Sequence, residues 1–195
     1  MDNRFNKVFS SFDPLNKELS PGSHIIDIFP SHFSFHPYNK HSNVNLKSCI
    51  CQLNNLTIPS LLNHSYALVV TDASIKNNMA ISIAHIHICD KPVVKTLYHV
   101  VNITLIEAKL FSIRYGINQA TNIPRISKIV VITHFIHTAR RIFDSSPHPF
   151  QIYSASISNK LRKFFLLSTN NSIEFRKCPS CCNWPLHKMV DRETK

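Results

Sequence analysis

Between Tyr66 and Ile103, three apolar runs rich in β-branched residues follow one another with almost nothing between them. YALVVTDAS (66–74) reads as a continuous buried strand, KNN (76–78) as a turn, and AISIAHIHI (80–88) as a second strand. The alternation of the second strand places Ile81, Ile83, His85 and His87 on one face. Asp90-Lys91-Pro92 makes another turn into VVKTLYHVVNI (93–103). Connections this short can only reverse the chain, so the three runs pair as an antiparallel meander. The rest of the chain has to be built against that sheet.

Thr104 offers a helix N-cap, and Glu107 stands where a capping box is completed. The helix runs to about Thr121, with Ile106, Leu110, Ile113 and Ile117 on one stripe. Pro124 ends it, and KIVVIT (128–133) follows as a fourth strand. Its apolar run does not alternate, which suits a strand buried on both faces in the middle of a sheet. A second helix covers about 135–144, the loop SSPHPF follows, and 155–167 (ASISNKLRKFFLL) forms a third helix with a basic face. SIEFRKC (172–178) is a fifth strand, and a last helical turn holds Met189 to Glu193. The order βββαβααβα predicts an α/β domain: a five-stranded mixed sheet, antiparallel in its first three strands, with helices on both faces.

Residues 1–61 lack this periodicity and are rich in Ser, Asn, Pro and His. They read as a poorly ordered extension or linker ahead of a domain at 62–195, with short apolar islands such as IIDIF (25–29) able to dock on it. The 195 residues suffice for one domain with a real core. No run approaches the roughly 18–20 apolar residues needed to span a bilayer. The amino terminus lacks the pattern of a signal peptide. An intracellular protein, nuclear or cytoplasmic, is expected, with its six cysteines as thiols. The sequon matches at Asn55, Asn63, Asn102 and Asn170 carry no meaning in that setting.

Charge narrows the partners. The formal net charge is +11, and from Arg125 onward 12 Lys/Arg face 4 Asp/Glu, a local excess of 12 − 4 = +8. Such an excess attracts polyanions, nucleic acid first among them, although a solvated basic surface has the same composition. Lys160, Arg162 and Lys163, with Phe164 and Phe165 behind them, are the candidate phosphate contacts. With only Gly22 and Gly116 in the chain, no glycine-rich phosphate loop can form.

Acidic residues number only 11, so their places matter. Asp72 ends the first strand, Glu107 lies in the first turn of the first long helix, and Asp191 follows the fifth strand in the last helix. If strands one and four are neighbours, Asp72 and residue 134 lie at adjacent strand ends. Carboxylates converging there can hold hard divalent cations through oxygen. The plainer readings are that Asp72 is a turn residue and Glu107 only a cap.

With these elements in place the chain resembles a known family. VVTDASIKNN, SIAHIHICDKPVVKTLYH, IRYGINQATN, HTARRIFDSSPHPFQI and CPSCCNWPLHKMVD, in this order, resemble the type 1 ribonuclease H-like domains of fungal retrotransposon-derived reverse transcriptase polyproteins. The resemblance covers about residues 62–195, and 1–61 looks like the segment that connects such a domain to its polyprotein. It implies two-metal hydrolysis of the RNA strand of RNA–DNA hybrids, with Mg²⁺ or Mn²⁺ as cofactor and an RNA–DNA hybrid as partner. By position, Asp72 would bridge both ions, Glu107 would hold one and Asp191 the other.

The family's remaining carboxylate belongs at the end of the fourth strand, in a pattern like ITDS. Here the chain reads Ile132-Thr133-His134-Phe135. Imidazole removes a negative charge and an oxygen ligand, and Mg²⁺ prefers oxygen. Asp144, about three helical turns on, cannot replace it. A strongly impaired nuclease is expected, or a catalytically inactive nucleic-acid-binding relic.

Cys178, Cys181, Cys182 and His187 also raise a zinc-stabilised interaction module. The only other closely spaced cysteines, Cys49 and Cys51, have a CxC spacing that does not complete a site. The resemblance places CPSCC in a turn that needs no metal. It also matches His187 to the family's mobile histidine, while the bare sequence reads it as a surface residue. His85 and His87 could ligate a metal or simply line a half-exposed strand.

Overall fold

The computed structural model describes residues 24–36, 48–55, 63–77, 79–89, 91–101, 103–143, 150–179 and 184–195. Six strands form one sheet: β1 (Phe33–His36), β2 (Tyr66–Lys76), β3 (Met79–Ile88), β4 (Lys91–Val101), β5 (Lys128–Thr133) and β6 (Ser172–Lys177), in the order β1-β6-β5-β2-β3-β4. The predicted meander is β2–β3–β4, antiparallel throughout. β5 pairs β2 in parallel, β6 pairs β5 in parallel, and β1 pairs β6 in parallel. The described helices are α1 (Ile25–Ile28), α2 (48–55), α3 (Leu105–Asn122), α4 (Ile136–Arg141), α5 (Gln151–Leu167) and α6 (Pro185–Glu193).

The sheet is buried on both sides, as the unalternated KIVVIT run requires. On one face Val69, Ile129 and Val131 pack against Leu110, Ile113 and Ile117 of α3 and Leu161 and Phe165 of α5. On the other, Leu68, Val70, Val130 and Ile132 pack against Leu53 of α2, Trp184 at the start of α6 and Val190 within it. Thus β5 sends alternate residues into two separate cores. α3 begins as its sequence predicts: Glu107 N donates to Thr104 Oγ1 at 3.2 Å, and Thr104 N donates to Glu107 Oε2 at 2.7 Å.

The sheet has one strand more than the five expected, and the extra strand comes from the presumed linker. Residues 24–36 form α1, a 3-10 turn and β1, so the extension is not all linker and the domain does not start at 62. The reason is aromatic packing: Phe35 stacks on Phe175 at 5.1 Å, and Phe33 meets Phe143 and Phe165 edge-on at 5.1 and 5.0 Å. These rings cover an edge that β6 would otherwise leave bare. Residues 1–23, 37–47 and 56–62 lie outside the described residues.

The expected half-exposed face of β3 is also corrected. His85 and His87 are buried, because α6 lies across that face and Glu193 meets His85 Nε2 at 3.0 Å. α6 is nine residues long rather than a single turn, and α5 begins four residues earlier than 155. Phe164 and Phe165 sit in the core.

Gly116 lets α3 approach β2 closely. A Cβ there would stand 2.4 Å from Val69 Cγ1 and 3.3 Å from Ala84 Cβ. Val69 is a fully buried, β-branched residue with no room to retreat. Gly116→Ala is therefore expected to destabilise despite its better helix propensity, with overpacking of about 1–3 kcal/mol offset by about 1 kcal/mol. Urea unfolding should show the lower midpoint.

Candidate functional site

The parallel pairing of β2 with β5 ends at Thr71↔Thr133, so Asp72 and His134 come next as neighbours where β5 stops. β2 itself runs on to Lys76, so Asp72 does not end its strand as expected but stands opposite Ile83 of β3. Asp72 is 7% exposed, and its Oδ1 accepts a hydrogen bond from Ala73 N at 2.8 Å. Burial pushes its carboxyl above the ordinary value, and Asp191 adds to that. The Ala73 amide, His134 and Lys109 pull the other way.

His134 is held by the next strand. Cys178 N donates to Thr133 O at 3.0 Å, carrying the β5–β6 ladder one residue past β6. That step delivers the Cys178 carbonyl to His134, whose Nδ1 lies 2.5 Å from it. A carbonyl oxygen only accepts, so Nδ1 carries the proton and the ring's lone pair is on Nε2. The His187 ring lies against His134, with centroids 3.7 Å apart.

His187 is thus no surface residue, since it is only 4% exposed. Burial, with His134 beside it, pushes its pKa down to about 4. α6 holds it there because Trp184 and Val190 are buried under the sheet, while Ser74 Oγ donates to Thr194 O and Lys76 Nζ donates to Lys195 O at 3.1 Å. The same anchoring brings Asp191 into the electrostatic surroundings of Asp72 and His187. Asp191 itself is partly exposed and accepts from Lys195 Nζ at 2.5 Å.

Asp72, His134 and Asp191 are therefore gathered at one end of the sheet, together with His187. Glu107 is engaged elsewhere: its Oε2 accepts from both Thr104 N and Thr104 Oγ1, at 2.7 and 2.9 Å. Two residues on, about 200° around the helix, Lys109 turns inward instead. It is 9% exposed, its Nζ stands 3.4 Å from the Phe135 ring centroid, and it acts electrostatically on Asp72. Sequence reasoning overlooked Lys109; its inward position on the stripe opposite Glu107 was the available signal. Lys160, Arg162 and Lys163 lie on α5, where Lys160 Nζ donates to Asn122 Oδ1 at 2.6 Å. Cys49 is buried and Cys51 exposed, so the CxC pair does not converge. Asp144, Cys181 and Cys182 lie outside the described residues.

No protein-family profile and no curated protein matches the sequence. Solved structures do match. The N-terminal RNase H domain of a Mycobacterium tuberculosis protein is similar at TM-score 0.51 and 14% identity, over 65% of this chain and 94% of that one. The foamy viral protease-reverse transcriptase solved with RNA/DNA hybrid is similar at TM-score 0.51 and 12% identity, over 69% of this chain and 20% of that one. The same viral enzyme solved with dsDNA gives TM-score 0.51 over 69% of this chain and 93% of that chain. The fold is that of ribonuclease H.

On this ribonuclease H sheet the donors at the carboxyl end are two carboxylates, Asp72 and Asp191, with imidazole at residue 134 and an ammonium, Lys109, within their field. A pair of hard divalent ions needs a surplus of anionic oxygen to offset four positive charges. The donor set present does not supply it, and the residues gathered here do not fit two Mg²⁺ ions.

Two titrations follow. Asp72's raised pKa means the folded state prefers the protonated acid, so its favourable contribution is complete below the ordinary value of 3.8 and is lost as pH rises. Asp72→Asn keeps an acceptor for Ala73 N and should raise the unfolding midpoint at pH 7, with the gain vanishing toward pH 3. His187 runs the opposite way: from 6.5 down to about 4, its neutral form contributes stability above pH 6.5 that is lost as pH falls through 4. Without divalent ions, the chain should lose on the order of 3 kcal/mol more than His187→Gln between pH 7 and pH 3. Urea unfolding across pH reads both effects.

Proposed function

We propose that this chain is a nucleic-acid-binding domain of ribonuclease H type and retroelement origin, directed at RNA–DNA hybrids, in which metal-dependent hydrolysis is disabled. The observation that carries this reading is the arrangement at the carboxyl end of β2 and β5. Asp72 stands one residue past the last β2–β5 pair, but its neighbour is an imidazole tied to the Cys178 carbonyl rather than a carboxylate. Lys109 occupies the field that a cation would otherwise fill. The retroelement assignment rests on the motif resemblance alone.

Binding is supported by charge and by the company the fold keeps. The net charge is +11, with +8 of it from Arg125 onward (12 − 4). α5 carries Lys160, Arg162 and Lys163, whose phosphate contacts would give affinity without sequence preference. The similar foamy viral enzyme was solved with RNA/DNA hybrid and with dsDNA. Among the described residues no helix is long and apolar enough to cross a membrane.

The test combines binding and cleavage of a labelled hybrid. The unmodified chain should bind it with an affinity that falls with salt. Replacing Lys160, Arg162 and Lys163 by Ala together should flatten the salt slope by roughly 2–3, given about 0.9 per phosphate contact. Cleavage in Mg²⁺ should stay at background, and His134→Asp should raise it at least about tenfold above that level, or 1.4 kcal/mol of barrier. Efficient Mg²⁺-dependent cutting by the unmodified chain would refute the disabled-site reading. Absence of hybrid binding at low salt would refute the function itself.

A further inference from the structure

The residue that stands in the carboxylate's place has company of a different chemical kind. The donor atoms of His134, Cys178 and His187 all lie within 4.8 Å of one another, one from the end of β5, one just past β6 and one from α6. Two imidazoles and a thiol are a donor set for a borderline-soft divalent ion, not for Mg²⁺. We propose that His134, Cys178 and His187 form a binding site for Zn²⁺, clasping α6 to the ends of β5 and β6.

Three features of the cluster support a ligand set over an accidental grouping. His134 donates through Nδ1 to the Cys178 backbone carbonyl, which fixes the tautomer and leaves the Nε2 lone pair for a metal. That backbone hydrogen bond is the usual outer partner of a metal-bound histidine. His187 Nε2 is buried and makes no hydrogen bond, and a buried polar atom in that state calls for a partner. Cys178 is fully buried among Val70, Ile132, Trp184 and Val190, with its Sγ 3.8 Å from the Pro179 carbonyl, so its sulfur is shielded from solvent.

The geometry needs little adjustment. Zinc bonds of about 2.0–2.3 Å in a tetrahedron set ligand atoms roughly 3.3–3.8 Å apart. Closing the cluster from 4.8 Å thus asks for about an ångström of side-chain movement. Binding requires the Cys178 thiolate, and its proton leaves to solvent as the S–Zn bond forms. Three protein ligands leave the fourth position for a water. Asp72 and Asp191 lie in the field around the histidines and favour a cation, while Lys109 opposes it. This site differs from the CxxC reading of the sequence: it uses Cys178 but takes its histidines from the sheet end and α6, and it does not depend on nucleic-acid binding.

The experiment uses the full chain without an affinity tag, loaded with Co²⁺ as a spectroscopic substitute for Zn²⁺ and then competed with Zn²⁺. One ion per chain is expected, with a thiolate-to-cobalt charge-transfer band and intense tetrahedral visible bands that Zn²⁺ abolishes. Cys178→Ser should remove the charge-transfer band, and His187→Gln should weaken binding by at least the roughly 10–100-fold that loss of a ligand's outer partner costs. A variant with Cys49, Cys51, Cys89, Cys181 and Cys182 all changed to Ser should keep the band, since Cys178 is then its only possible source. A band that survives Cys178→Ser, or that disappears in the five-serine variant while circular dichroism shows it folded, places the metal elsewhere and overturns the proposal. So does a folded native chain that takes up no ion. Hybrid binding by the native chain, measured in parallel, distinguishes failure of this site from failure of the nucleic-acid reading.

Discussion

Everything at the functional end of this molecule depends on one pairing, the parallel ladder between β2 and β5. It fixes Thr71 opposite Thr133, and a slip of one residue would turn every side chain of either strand to the wrong core. Both strands are buried on two faces, so no alternative register keeps Val69 and Val131 under α3 while Leu68 and Val130 lie under α6. The consequence is that residues 72 and 134 must stand side by side whatever their chemistry. A histidine at 134 is presented as firmly as an aspartate would be.

The second constraint is the docking of α6. A nine-residue helix is marginal on its own, and its stability comes from the apolar face it buries. Trp184 and Val190 supply that face, Glu193 meets the buried His85, and the backbone of Thr194 accepts from Ser74. These contacts spread across β2 and β3, so α6 cannot rotate without losing several at once. His187 and Asp191 are carried along and arrive beside His134 and Asp72. His85 therefore acts at a distance from the site, as an anchor for the helix that completes it.

What stands at the site is a cluster of polar side chains drawn from β2, β5, α3 and α6. Nδ1 of His134 is satisfied by the Cys178 carbonyl, Glu107 is bound into its own helix cap, and Lys109 brings a positive charge that Asp72 feels. Each of these satisfies a group that hard metals would otherwise engage. The fold and the polar centre are held here by different contacts. The scaffold is fixed by the apolar residues of two cores, while the centre is set by which polar side chains are buried at their ends, Asp72, Lys109 and His187 among them.

Much of the fold was legible in the chain itself. The short turns at 76–78 and 90–92 dictated the meander, the unalternated KIVVIT dictated a central strand, and Thr104 with Glu107 dictated where α3 begins. These are local signals, set by turn length, periodicity and capping within a few residues of each other. The placement of Asp72 beside residue 134 was also accessible, because it follows from strand order once the sheet is drawn. Tertiary structure decided the rest. β1 forms because four residues of otherwise unpatterned chain find aromatic partners about 140 positions away, and four residues are too few to show a period. His85 is buried because α6 lies across its strand, and His187 because α6 packs that side against the sheet, and no alternation within a strand or a helix reveals what lies above it. Lys109 turns inward, and Cys178 lends its carbonyl to His134, through contacts between elements far apart in sequence. The chain specifies its own strands and helices; which polar groups meet at their ends is settled only when the two cores close.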